Sequence, residues 1–312
     1  MNTGVSVIIL TSGQKARYHH IEKLLISLSK QTFKDFELIL ATERVDKDLV
    51  NIFRKYFCPC KEHRILVTGY WNRCKTANKA IMESHGDIVI LLEDDLILKR
   101  NFLDQIIKPF QIDLNIGCVY SRCIWVYREG LRSRSGIVSL IAKLVSKLSI
   151  HGSILQKQVK RIDKYLYEVP VFTMSVACKR EALYKAGLYD EDAEEPILGE
   201  DYDLALRIRK RGYKILLNTK AVSFHFTRQV TKRIMELHRD TNFLRGIYKS
   251  EVLFIVKNRN MLGFYVLSHI IHRIIESLWW SIKVKDIRVF LNGLRGIVEG
   301  LIKGSLKNDR KL

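Results

Sequence analysis

Five apolar residues, Ile88-Val89-Ile90-Leu91-Leu92, run straight into three carboxylates, Glu93-Asp94-Asp95, and few folds can hold such a segment. An unbroken apolar run of this length, rich in β-branched residues, reads as a strand buried on both faces of a parallel sheet. Three adjacent acids cannot stay buried without partners, because desolvating one carboxylate costs several kcal/mol and neighbouring charges repel. They belong where the strand leaves the sheet, facing something cationic. In open α/β sheets ligands bind just outside the carboxyl ends of the strands. Glu93 and Asp95 lie two apart, so an extended exit can present both to one hard divalent ion such as Mg²⁺ or Mn²⁺. The plainer alternative is a solvated acidic turn.

The rest of the first half supports a sheet around that strand. Residues 5–10 form another buried strand, followed by the loop Thr11-Ser12-Gly13 and a helix carrying Ile21, Leu24, Leu25 and Leu28 on one face. Residues 36–41 and 64–68 read as further strands, separated by a helix with Leu49, Ile52, Phe53 and Tyr56. Residues 72–84 form a helix that Gly86-Asp87 turns into the central strand. Strands alternating with helices predict an α/β fold: a Rossmann-like, doubly wound, mainly parallel central sheet flanked by helices. Neither G-x-G-x-x-G nor G-x-x-x-x-G-K-[ST] occurs, which argues against a dinucleotide oxidoreductase or a P-loop enzyme.

Beyond the acids, Asn101 is placed to cap a short helix through Phe102 and Ile106, and residues 117–127 read as a strand. Residues 131–165 look like an insertion carrying a basic amphipathic helix. A second acidic cluster, Gly199-Glu200-Asp201-Tyr202-Asp203, opens a helix that ends before Gly212. Three acids exceed what one cap needs, and a carboxylate at such a junction is well placed to act as a general base. Residues 214–217 and 222–226 are strand-like, and the latter carries His225; alone, that histidine reads first as structural.

Charge and cysteine usage narrow the setting. The net charge is +20, and from Leu204 onward there are 23 Lys and Arg against 7 Asp and Glu, which calls for an anionic partner. The six cysteines (58, 60, 74, 118, 123 and 178) show no C-x-x-C spacing, so thiols in a reducing compartment are expected, and no signal peptide is read at the start. In the last third, Phe264, Leu267, Ile271, Ile274, Ile275 and Leu278 make one helical stripe. Ile287, Phe290, Leu291, Leu294, Val298 and Leu301 make a second. Charges interrupt every window long enough to span a bilayer, so these helices are expected to lie on an anionic membrane surface beside Trp279-Trp280, or to cap the protein or form a homo-oligomer contact. No nucleic-acid-reading motif is present, and no nucleic acid partner is expected.

Taken in order, residues 5–10, Gln31-Thr32-Phe33-Lys34-Asp35-Phe36-Glu37, Ala77-x-x-Ala80, Gly86-Asp87-Ile88, Leu92-Glu93-Asp94-Asp95 and Gly199-Glu200-Asp201-x-Asp203-Leu204-x-x-Arg207 resemble family 2 glycosyltransferases of the GT-A fold. The likeness runs from about residue 4 to 260, its tail being Phe254-x-x-Lys257-Asn258. It implies a GT-A catalytic domain over residues 1–255 and a C-terminal amphipathic helical region over 256–312. The activity implied is transfer, with inversion, of a sugar from a nucleotide-diphosphate sugar to an acceptor hydroxyl or phosphate. On that resemblance Glu93 and Asp95 hold Mg²⁺ or Mn²⁺, joined by His225, and Asp94 belongs to the donor site. Asp201 is the base, with Glu200 its neighbouring candidate, and Thr11, Glu43, Lys75 and Asn78 line the nucleotide pocket. Three departures follow. Ala41-Thr42-Glu43-Arg44 replaces the usual base-reading Asp, Glu93 lengthens the first metal arm, and no glycine stands near Met174-Ser175. The expected acceptor is a lipid-linked saccharide or polyprenyl phosphate in glycan synthesis, met on the cytoplasmic face of a membrane. The rival readings are a catalytically silent basic protein that binds membrane or nucleic acid, and a nucleotidyltransferase.

Overall fold

The computed structural model describes residues 4–56, 62–127, 165–172, 175–192, 197–227 and 240–308. The chain forms two compact units, one from residues 1–126, 162–191 and 207–227, the other from 127–161, 192–206 and 228–312. The insertion expected at 131–165 falls almost wholly outside the described residues, as do Cys58, Cys60 and Met174.

The first unit is built on a nine-stranded sheet: β1 (Val5–Thr11), β2 (Glu37–Thr42), β3 (Glu62–Val67), β4 (Ile88–Glu93), β5 (Leu96–Leu98), β6 (Ile116–Tyr127), β7 (Leu166–Glu168), β8 (Val176–Lys179) and β9 (Lys214–Thr227). The order is β3-β2-β1-β4-β8-β6-β9-β5, with β7 on β9. β1 to β4 pair in parallel, linked by helices α1 (Tyr18–Ser29), α2 (Lys47–Lys55) and α3 (Arg73–Glu83). Val7, Ile9, Leu24, Leu25, Leu28, Leu40, Ile90 and Leu92 share one buried cluster between sheet and helices. Side chains start two of the helices: Asp46 accepts from the Leu49 amide at 2.9 Å, and Asn72 from the Lys75 amide at 3.0 Å.

The doubly wound expectation describes only this half. In the rest of the sheet, β4 pairs with β8, β6 with β8, and β5 and β7 with β9, all antiparallel. Parallel strands need a crossover of a dozen residues or so, whereas only Asp94-Asp95 separates β4 from β5. β5 therefore leaves its predecessor and pairs with β9, a single strand where the sequence suggested two pieces. Asn101 flanks α4 (Phe102–Ile107), but its side chain makes no capping bond. The expectation of thiols fails at one pair: the register of β6 and β8 sets Cys118 opposite Cys178, and the structure joins them in a disulfide. α5 (Arg180–Lys185) follows β8. α6 (Glu200–Lys210) begins in the second unit and ends in the first, closing at Gly212, whose φ of +87° suits a glycine.

The second unit includes a run of C-terminal helices, among them α7 (Thr241–Lys257). α8 (Arg259–Leu262), α9 (Phe264–Val284) and α10 (Ile287–Asn308) follow. α7 belongs with them because it packs along α10: Leu244, Tyr248, Val252 and Val256 meet Val289 and Ile297. Gly296, Gly300 and Gly304 recur every four residues on the facing side of α10, and a Cβ at Gly300 would stand 2.6 Å from the Lys249 carbonyl oxygen. No helix among the described residues is long and apolar enough to cross a membrane.

Candidate metal and donor site

β4 is buried along its length until Glu93, where the chain emerges and turns through Asp94-Asp95. The antiparallel register of β5 and β9 sets Leu96 opposite His225, which brings the histidine beside Asp95. His225 Nε2 lies 3.1 Å from Asp95 Oδ1 and 3.8 Å from Glu93 Oε2. One ligand atom from each of Glu93, Asp95 and His225 falls within 4.8 Å of the others. The strand histidine, ambiguous as a lone residue, is thus part of the acidic cluster.

Arginines hold the outer side of this cluster. Arg73 Nη1 donates to Glu93 Oε1 at 2.6 Å, and Arg17 Nη2 donates to Asp95 Oδ2 at 2.9 Å. Each carboxylate therefore has one oxygen tethered by a guanidinium and the other turned toward His225. Asp95 Oδ1 is buried and accepts no hydrogen bond, although His225 Nε2 lies close by. An unsatisfied buried acceptor, a second carboxylate and an imidazole suit a divalent ion, and the nitrogen donor favours Mn²⁺ over Mg²⁺. Burial raises the Asp95 pKa, yet contact with His225 and the charges of His225 and Arg17 outweigh it and hold the carboxyl below its usual range. Burial lowers that of His225, but Asp95 and Glu93 together raise it.

Asp94 is held by protein groups. It is 4% exposed, accepts from Thr11 Oγ1 at 2.6 Å and is gripped by Arg17 through both oxygens. Burial leaves its pKa raised despite Arg17 and Thr11. Thr11 and Asp94, both expected in the donor site from the sequence, are bonded to each other, and Asp94 also meets Arg17. Asn78 is likewise engaged: it donates to the Tyr189 carbonyl at 3.0 Å and to Glu191 at 2.8 Å, and accepts from the Tyr189 amide at 2.9 Å. It latches α3 to the segment after α5. Lys75 is exposed in the first turn of α3, and Glu43 pairs with Arg44 at 2.7 Å. Sequence reasoning missed Arg17 and Arg73, which no spacing marks.

A second convergence, Glu37, Glu62 and His85, lies near the start of β2 and β3. There Arg64 already bridges Glu37 and Glu62 at 3.0 and 3.1 Å, so the group is a tie between strands.

In the second unit the start of α6 is anchored to α7. Asp203, 1% exposed, lies 3.2 Å from Lys257 Nζ and accepts from Asn258 Nδ2 at 2.9 Å. The Leu198 amide donates to Ser250 Oγ at 3.1 Å. Gly199 has φ +99°, and a Cβ there would meet the Phe254 ring at 3.2 Å. Lys257-Asn258 thus fixes one of the three acids, while Glu200 and Asp201, 6% and 8% exposed, sit in the first turn.

The profile of Glycosyltransferase like family 2 matches residues 3–248. The chain belongs to that family. A relative from Bacillus subtilis (strain 168), named uncharacterized glycosyltransferase YfnE, is 24% identical over 261 residues, covering 70% of this chain. The chain spans 64% of that relative's own length. The solved mannosyltransferase PcManGT from Pyrobaculum calidifontis, in complex with GDP-Man and Mn²⁺, superposes with a TM-score of 0.57 at 16% identity, over 99% of this chain and 88% of its own. GalNAc-T7 with UDP, GalNAc and Mn²⁺ gives 0.53 at 14% identity, over 91% and 56%. Both carry the GT-A fold, which is the fold of this family member.

Proposed function

We propose that this protein is a metal-dependent inverting glycosyltransferase that moves a sugar from a nucleotide-diphosphate donor to a hydroxyl or phosphate on a lipid-linked glycan acceptor. The observation that carries the reading is the convergence of Glu93, Asp95 and His225 at the carboxyl end of β4. Two structural neighbours solved with Mn²⁺ and a nucleotide or nucleotide sugar support it.

Glu93, Asp95 and His225 would hold the ion, which would supply positive charge to offset that developing on a leaving diphosphate. Arg17 and Arg73 keep the two carboxylates oriented and add positive charge at the same rim. Asp201, with Glu200 beside it, takes the proton from the acceptor hydroxyl as its oxygen bonds to the anomeric carbon. The bond to the diphosphate oxygen breaks in the same displacement, which inverts that carbon. The basic C-terminal helices motivate the lipid-linked acceptor.

The test is a screen of UDP-, GDP- and dTDP-sugars with and without Mn²⁺. Metal-dependent release of one nucleoside diphosphate is expected, abolished in Asp95→Ala. Asp201→Asn should bind that donor normally while transfer falls by about 10²–10⁴-fold. If no donor is turned over, even with lipid acceptors supplied, a catalytically silent binding protein replaces this reading.

A further inference from the structure

The two C-terminal helices are inside out. α9 buries polar and charged groups: Ser277, Ser281, His269 and the guanidinium of Arg273, which pairs with the fully buried Glu251 at 2.6 Å. Burial alone would raise the Glu251 pKa, but the charges of Arg273 and His269 depress it, so the ion pair persists inside the unit. The apolar side chains point the other way. Phe264, Leu267, Ile271, Leu278 and Ile282 are 40–69% exposed, and at ~100° per residue they fall within roughly 60° of arc. α10 repeats the pattern with a different inner face. Its glycines and Val289 meet α7, while Ile287, Leu291, Val298 and Ile302 are 51–62% exposed. Among the described residues, the unit's buried cluster includes none of these outer side chains, and surface apolar groups gathered in stripes mark an interaction surface.

The charge on the same surface says what covers it. Along residues 264–306, every exposed side chain is apolar, aromatic or basic, with Ser305 the exception. The bases are Lys283, Lys285, Arg288, Arg295 and Lys303. The acids of the segment lie inward or are paired: Glu276 with Arg273, Asp286 with Arg288, Glu299 with Arg245 and Arg295. Lys283 stands over the Trp279 ring, 4.8 Å from its centroid, an arrangement suited to the boundary between headgroups and acyl chains. A second copy of this face would set basic against basic, which disfavours self-association.

We propose that the outer faces of α9 and α10 form a docking surface for an anionic lipid bilayer, with the apolar stripes sunk below the headgroups and the five bases among the lipid phosphates. The helices lie on the bilayer and do not cross it. This deepens the lipid-linked acceptor reading, but it stands on vesicle binding and not on catalysis, so the two can fail separately.

The full chain is sedimented with vesicles of phosphatidylcholine alone or mixed with phosphatidylglycerol, and its oligomeric state is measured by analytical ultracentrifugation. Binding only to the anionic vesicles is expected, weakened by salt. The Leu291→Glu/Val298→Glu double variant should lose at least ten-fold in binding. Lys283→Gln/Lys285→Gln/Arg295→Gln should lose about a hundred-fold. Both should keep the wild-type unfolding transition and soluble-donor hydrolysis. The proposal is overturned if the wild type ignores anionic vesicles, if the variants bind like the wild type, or if the wild type is a dimer that Leu291→Glu dissociates.

Discussion

Replacing Gly300 by alanine sets two effects of opposite sign against each other. In an exposed helix interior the change favours folding by about 1 kcal/mol, because glycine has more backbone freedom to lose. Here the new Cβ would stand 2.6 Å from the Lys249 carbonyl oxygen, 2.8 Å from Val252 Cβ and 3.1 Å from the Leu253 nitrogen. Two of those atoms are backbone of α7 and cannot rotate aside, while comfortable separations are about 3.5–4 Å. The helices must part by roughly an ångström along a contact that also seats Val252 against Ile297. Overpacking of this kind costs about 1–3 kcal/mol, so the net effect is a destabilisation of up to about 2 kcal/mol. Valine and leucine at the same place should cost more. Urea unfolding of the full chain followed by circular dichroism gives the order, with stability expected to fall from Gly to Ala to Val and Leu. An alanine variant more stable than the wild type by about 1 kcal/mol, with leucine close behind, would follow helix propensity instead and refute the close packing of α7 on α10.

Three further outcomes follow from buried charge and polar contacts. The Glu251 carboxyl has a depressed pKa, so its stabilisation is present above the ordinary glutamate value of about 4.3 and is lost as pH falls below it. Glu251→Gln should cost about 3 kcal/mol at neutral pH and flatten the acid limb of the stability profile. Arg17→Met leaves Asp94 buried beside Thr11 without its cation, so the unfolding midpoint should drop at pH 7 and partly recover at pH 5 as the carboxyl takes up a proton. Asn78→Ala removes two hydrogen bonds to the Tyr189 backbone, and thermal unfolding should show a loss of about 1–3 kcal/mol.

The acidic end of β4 was legible because five apolar residues and three carboxylates admit few placements. The helix from Asn72 and the Gly212 stop were legible because capping chemistry is local. The parallel half of the sheet followed from alternating periods. Its antiparallel half did not, because pairing of β9 with β5 depends on a two-residue turn and contacts more than a hundred residues apart. Arg17 and Arg73 carry no spacing signal, and only the register and the loop before α1 bring them to Asp95 and Glu93. The protein partners of Asp94 and Asn78 were not legible for a related reason: Asp94 meets Thr11 and Arg17, and Asn78 meets Tyr189 and Glu191, through contacts far apart in the chain. The pairing of Cys118 with Cys178 likewise depends on register, which cysteine spacing does not report.

The most direct test of the account is a Mn²⁺ titration followed by electron paramagnetic resonance, in the presence and absence of UDP, GDP and dTDP. One bound ion is expected, held more tightly when one of the diphosphates is present, and no such site in Asp95→Asn. Binding that is absent in the wild type under all these conditions, or that is the same in Asp95→Asn, would contradict it.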